Sequence, residues 1–234
     1  MTGTIFDVAL AAAFLLATHF GISSTGLRDS ILGKLGEQPY RGLYSLIAFA
    51  AFAWLILAWR DAPYLPLWER AAWQYWVPIA VMPLALLFVV GGLTVRNPSA
   101  VGQEKALHSA EPAQGLLRVT RNPFLWGVGL WALAHMVPNG DVASLLFFGA
   151  LAVLALLGSV LIDRKNRARR GLDWERYEEV TGNVPFAAIV QGKQSLARAA
   201  AEFGTWRLVV TVVLYGALQH LHPWFAGVPA IPAG

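Results

Sequence analysis

Long uncharged stretches alternate along the chain with shorter polar ones, and the lengths of the apolar stretches decide what they are. Windows of about 17 to 21 mostly uncharged residues suffice to cross roughly 30 Å of hydrocarbon at 1.5 Å per residue. They occur at Ile5 to Ile22, Leu43 to Trp59, Trp76 to Leu93, Val142 to Ile162 and Leu208 to Phe225. A sixth, Pro123 to Val137, spans only about 22 Å, which predicts a helix that sits beside a cavity or begins below the membrane interface. The pattern predicts an all-α fold: a polytopic membrane helix bundle of about six transmembrane helices with a cytoplasmic cap, built as a single domain over residues 1–234. The first stretch carries Asp7, has no basic region before it and lacks a clear cleavage site, so it reads as a retained helix rather than a signal peptide.

Composition agrees with the pattern: 56% hydrophobic, 14% charged, ten Trp and a mean hydropathy of +0.51 lie far from a soluble domain's usage. The basic residues set the orientation, because short loops rich in Lys and Arg stay on the cytoplasmic side. Only Arg60 and Arg70 of the eighteen Lys and Arg fall outside the connections after spans one, three and five. Both termini are therefore expected on the non-cytoplasmic side, and Tyr64 to Trp76 reads as an aromatic belt at the outer interface. This topology, with attraction to anionic lipid, accounts for the net charge of +4, so the charge is no argument for nucleic acid.

Two polar connections are long enough to do more than join helices. Leu93 to Asn122, rich in Pro, Gly and Ser, exceeds the usual length of a structureless loop and is expected to be functional or mobile. Ile162 to Trp206 opens with the basic string DRKNRARR and closes with SLARAAAEF, which predicts an amphipathic interfacial helix. The near-twin strings TVRNP and VTRNP, ending at Pro98 and Pro123, are too short to establish a repeat. With no Cys, iron–sulfur clusters, thiolate ligation and Cys-based zinc sites are excluded, leaving histidine as the strong transition-metal or haem ligand.

Depth separates the five histidines. His108 lies in a polar loop and is expected to be solvated. His19 sits three quarters of the way along span one, and His135 lies near the end of span four, on a stripe with Phe124, Val128 and Trp131. His220 and His222 are near the end of span six, on opposite sides because two residues turn a helix by about 200°. Ionisable groups inside a membrane are costly, so His19 and His135 are read as ligands or proton relays, against the alternative of hydrogen-bonded structural imidazoles.

The runs HFGISSTGLRDSILGKLGEQPYRGLYSL (His19 to Leu46), VTRNPFLWGVGLWALAHMVPNGDVASLLFFG (Val119 to Gly149) and NVPFAAIVQGK (Asn183 to Lys193) resemble the NnrU family of bacterial membrane proteins, a family that includes a plant carotene isomerase. The resemblance implies a multi-pass protein of the bacterial inner membrane that binds haem b, with a role in polyene isomerisation or in electron transfer connected with nitrogen oxides. It places the iron between His19 and His135. Two departures stand out: Ala132 occupies the position of a cysteine in the plant isomerase, and Asn122 stands where an Arg-His-Pro motif is common. His19 and His135 also differ in nominal depth by roughly 10 Å or more, which helix tilt or an extension of span one to Thr25 would narrow. His222 is the geometrically easier partner for His135. Arg41, Arg118 and Arg121 are candidates to grip haem propionates, since a guanidinium holds a carboxylate through two hydrogen bonds. The expected partners are the bilayer and a lipophilic substrate, with room for a homo-oligomer or a redox partner.

A second resemblance is to the membrane isoprenylcysteine and phospholipid methyltransferases. It rests on Arg121, Asn122, Pro123 and Phe124 at a helix entrance, Asp163 and Arg164 leaving the next membrane helix, and Trp174, Tyr177, Val184 and Pro185 beyond. It implies a shared fold and, as an alternative function, S-adenosylmethionine-dependent methyl transfer, although Asn122 and the Asp163-Arg164-Lys165 string depart from the expected histidine and paired glutamates. A third reading is an accessory subunit whose small residues, among them Gly127, Gly129 and Gly216, serve helix packing.

Overall fold

The computed structural model describes residues 2–22, 26–100 and 102–231, and it is predominantly helical with no strand among them. Helix α1 (Ile5–Ala17) continues as a π-helical turn (Thr18–Ile22); an extension of the first span to Thr25 falls outside the described residues. Helices α2 (Gly26–Leu35), α3 (Glu37–Asp61), α4 (Ala72–Thr94), α5 (Pro123–Met136) and α6 (Val142–Arg170) follow. Then come α7 (Leu172–Val180), α8 (Ala187–Val190), α9 (Leu196–Phe203) and α10 (Thr205–Ala226).

Five segments are long and apolar enough to cross a membrane: Ile5–Ile22, Glu37–Asp61, Ala72–Thr94, Val142–Arg170 and Thr205–Ala226. The sixth expected span is the 14-residue α5, about 21 Å long, and it falls short of a full crossing. Its start is sharp because Pro123 occupies the first helical turn, where a missing N–H costs nothing. Helix α5 lies between α4 and α6; α6 also packs on α1, α1 on α3, and α10 on α4.

Small residues make these contacts close. A Cβ on Gly92 would lie 2.5 Å from the Phe124 amide nitrogen, and one on Gly127 would lie 2.7 Å from the Ala85 carbonyl oxygen. The α4 and α5 backbones therefore meet with no side chain between them, the packing that small residues permit in membranes. Pro83 inside α4 removes the N–H that would bond the Ile79 carbonyl, and the Tyr215 hydroxyl of α10 donates to that carbonyl at 3.0 Å. The main core joins Val8, Ala11 and Leu15 to Leu55, Ala132 and Phe147.

The two ends of the bundle are built differently. At one end, the Trp59 indole donates to Ser144 and stacks on Phe147, so the end of α3 meets the start of α6. The connection after α3 crosses the turn between α5 and α6: Leu67 N donates to the Gly140 carbonyl and the Trp68 indole to the Val137 carbonyl. A Cβ on Gly140 would strike the Trp68 indole, so this turn requires glycine.

The opposite end carries the cap. Among the described residues of Leu93 to Asn122 there are two 3-10 turns, Glu104–His108 and Gly115–Arg118, with Leu107, Ala113, Leu116 and Leu117 buried. Leu107 and Ala113 pack with Trp174 and Tyr177 of α7. Helix α9 forms where SLARAAAEF predicts it, but it packs on the Gly115–Arg118 turn with Ala199 and Phe203 buried. That contact covers part of its apolar face with protein, while Leu196 stays exposed.

Candidate functional site

A cavity at the uncapped end collects the polar groups that membrane depth makes expensive. His135, Asn139, Gln219, His222 and Arg70 line it together with an apolar wall that includes Met82, Leu86, Trp131 and Phe225. The enclosed space is about 170 Å³, and about 900 Å³ with its mouth included.

His135 is held by its own helix and its neighbours. Its Nδ1 lies 2.8 Å from the Trp131 carbonyl oxygen, and its ring rests against Trp131 and Phe148. A carbonyl only accepts, so Nδ1 carries the proton and Nε2 keeps its lone pair. His222 repeats this chemistry: Gly227, with φ of 74°, reverses the chain after α10 and brings the Val228 carbonyl to 2.6 Å from His222 Nδ1. Neither Nε2 makes a hydrogen bond among the described residues. An imidazole whose other nitrogen donates to a carbonyl is the usual form of a metal-ligating histidine. Gln219 donates to Tyr215, while its own carbonyl oxygen is buried without a partner. Of the paired histidines on span six, His220 is exposed and does not line the cavity.

His19 lies elsewhere. Its Nδ1 is 2.8 Å from the Leu15 carbonyl oxygen, and its ring meets Tyr44 edge-on near the start of α3. His135 reaches the other end of α3 through Phe148, which touches Trp59. Tyr44 and Trp59 are fifteen residues apart on α3, about 22 Å along the helix axis. His19 and His135 thus pack toward opposite ends of α3. His108 is exposed, 4.0 Å from Asp173. No cluster of three or more His, Cys, Asp or Glu suited to a metal ion occurs among the described residues, whereas a haem needs only two axial ligands.

The three arginines expected at the propionates also lie elsewhere. Arg41 is half-buried and pairs with Glu37 one turn away at 2.7 Å. Arg118 and Arg121 precede α5, so its full length, about 21 Å, separates them from His135. Arg118 is buried against Glu202 at 2.8 Å, Glu111 at 2.9 Å and Gln194 at 2.7 Å. Arg121 is buried against Asp163 at 2.8 Å, Glu178 at 3.1 Å and the Thr181 carbonyl at 3.2 Å. Asn122 and Asn183 complete the shell of Asp163 at 3.1 and 2.7 Å. Of the residues that suggest methyl transfer, Arg121 and Asn122 therefore both bond Asp163. The twin strings also meet here, since Asn97 donates to the Arg121 carbonyl at 3.1 Å.

Electrostatics follows from these pairings. Hydrogen bonds from Arg118 draw the Glu202 carboxyl down to about 2, well below the usual carboxylate range. Burial pushes the Tyr177 hydroxyl up, and that hydroxyl, like the Trp174 indole nitrogen, has no hydrogen-bond partner among the described residues.

The cavity contains groups the linear pattern did not single out. Arg70 lies in the connection after α3 with its guanidinium 5.1 Å from the Tyr64 ring centroid, and it lines the same cavity as His135. Two signals were available in the sequence. Arg70 is one of only two basic residues outside the basic connections, and Gln219 is a polar residue within span six.

The chain is similar to 15-cis-zeta-carotene isomerase, chloroplastic, of Arabidopsis thaliana, with 35% identity over 202 residues, which is 81% of this chain and 52% of the plant protein. It is 33% identical over 194 residues to the protein of the same description from Zea mays, with the same coverage. The chain thus spans about half the length of these relatives. No solved structure matches it. The family model described as NnrU protein matches residues 8–230, and with nearly the whole chain covered, this membrane protein belongs to the NnrU family.

Proposed function

We propose that the protein binds haem b at the uncapped end through His135 and His222, and that the site serves redox-linked chemistry on an elongated apolar substrate of the polyene kind. The observation that carries the reading is the shared cavity, in which two imidazoles each donate from Nδ1 to a backbone carbonyl and keep Nε2 for a ligand. The donor set suits the group. The volume of about 170 Å³ is below the roughly 300 to 1,000 Å³ of most ligand pockets, so haem binding requires the cavity to widen.

A bound haem would supply a one-electron redox centre. The chain's own contributions are separable from that chemistry. Trp131 and Phe148 fix the His135 ring, and the Trp131 carbonyl fixes its tautomer. The apolar wall excludes water, while Arg70 offers a cation for a carboxylate at the cavity. Ala132, fully buried, offers no ligand, so the proposed ligation does not exchange with a thiolate. The isomerase description of the plant relatives supports a carotenoid-like substrate. The basic capped end is read as cytoplasmic, where Lys and Arg accumulate.

Spectra of the detergent-solubilised protein, oxidised and dithionite-reduced, test the reading. A low-spin haem spectrum is expected, lost in His135→Ala, converted to high-spin in His222→Ala and unchanged in His19→Ala. Absence of a Soret band after expression with ample haem overturns haem binding, and loss of the low-spin form in His19→Ala overturns the choice of His222.

A further inference from the structure

We propose that a second site, at the capped end and independent of the histidine cavity, binds an anionic phospholipid, with its phosphate on Arg164 and Arg167 and an acyl chain along Trp126, Leu156 and Val160. These residues line one cleft of about 450 Å³ between α5, α6 and the Asn183–Val184 segment, a volume within the range of ligand sites.

The cleft is divided as an amphiphile is divided. Helix α6 is apolar through Ile162 and charged from Asp163 onward, so the boundary between hydrocarbon and headgroups crosses the cleft at the first turn that can present a cation. Below that boundary lie Trp126, Leu156 and Val160; Val160 is 39% exposed, which opens the lower part to lipid chains.

The charges in the upper part do not cancel. Asp163 and Glu178 bond Arg121, and Glu178 also bonds Arg167 through Nε and Nη2. That leaves three arginines against two carboxylates, with Arg164 making no ion pair among the described residues. Arg167 bonds Glu178 with two of its three guanidinium nitrogens, leaving Nη1 available. On the floor, Asn183 accepts from Trp126 and Ser159 and donates to Asp163. The floor is thus internally satisfied, and the unmet demand is for an anion at the rim. A phosphate held there places its glycerol and first methylenes against the apolar half. The remaining basic residues of α6, Lys165, Arg169 and Arg170, keep the surroundings attractive to anionic headgroups.

Trp126 is the reporter. The full chain is reconstituted in phosphatidylcholine vesicles containing a minor fraction of phosphatidylglycerol, with brominated acyl chains on one lipid or the other. Subtracting Trp126→Phe from the parent protein isolates this one of the ten tryptophans. The expected result is quenching of the Trp126 component by brominated phosphatidylglycerol beyond its mole fraction. Arg164→Gln, a change at an exposed side chain, is expected to lower that preference by about fivefold. Equal quenching by the two lipids, or an unchanged preference in Arg164→Gln, overturns the proposal. Loss of the preference on adding millimolar inorganic phosphate also overturns it, because the site then selects free phosphate rather than lipid.

Discussion

The two ends of this bundle spend their polar groups in opposite ways. At the capped end, the buried charges of Arg118, Arg121, Asp163 and Glu178 are each met by an opposite charge within about one hydrogen-bond length. At the other end, His135, His222 and Gln219 line a cavity, and the Gln219 carbonyl oxygen is buried there without a partner among the described residues. Saturated networks hold a structure together, because a buried charge that loses its partner is strongly destabilising. Unsaturated ones cost stability and are kept where something binds. The contrast is one of charge: the cap pairs its buried charges, although Asn166, Trp174 and Tyr177 each keep a polar atom without a partner among the described residues, whereas the cavity gathers two imidazoles and an amide.

The largest effect that would break this division is expected for Asp163→Ala. It removes the shared acceptor of Arg121, Asn122 and Asn183, and thermal or denaturant unfolding in detergent should show a loss of about 3–5 kcal/mol. A comparable loss in His135→Ala would contradict the contrast, since that cavity end is expected to lose ligand binding before stability. Next is Gly127→Ala, whose methyl group meets the α4 backbone at Ala85 and Val89. An unfolding measurement should show roughly 1–3 kcal/mol of destabilisation, against little change for Gly158→Ala, where the space is open.

The acid response sharpens the comparison further. Glu202 has a folded-state value of about 2, below its ordinary 4.5, so its contribution is present in full above about pH 4.5 and is lost as the pH falls toward 2. Hydrogen exchange should therefore loosen at Gly115–Arg118 and α9 over that interval, and Glu202→Gln should abolish the dependence. The smallest effect is expected for Arg41→Ala: its exposed pair with Glu37 contributes about 0.5 kcal/mol or less, and haem absorbance should not change. A loss of haem in Arg41→Ala would return that arginine to the cofactor site.

Much of the helical order was legible because bilayer thickness converts directly into a length of apolar sequence. Pro123 marked the start of α5 and Asp141, which caps α6 through the Ser144 amide, marked the next helix. The cap was less legible. Leu107, Leu116 and Leu117 carry no periodicity long enough to predict that they are buried, and the apolar face of α9 looks the same whether lipid or protein covers it. Among the site residues, His135 stood out by depth alone. The placement of His19 beside Tyr44, and of Arg118 and Arg121 within ion pairs, depends on residues 25 to about 85 positions distant in the chain.

By itself the sequence determined a membrane helix bundle, the concentration of cations at one end, and the depth at which each histidine sits, because transfer into hydrocarbon is a local property of each segment. The tertiary structure decided which polar groups are satisfied. Arg121 and His135 both look like buried ligands in a list of residues, and only the packing of α5 against α4, α6 and the cap gives the arginine its carboxylates and leaves the imidazole facing open space.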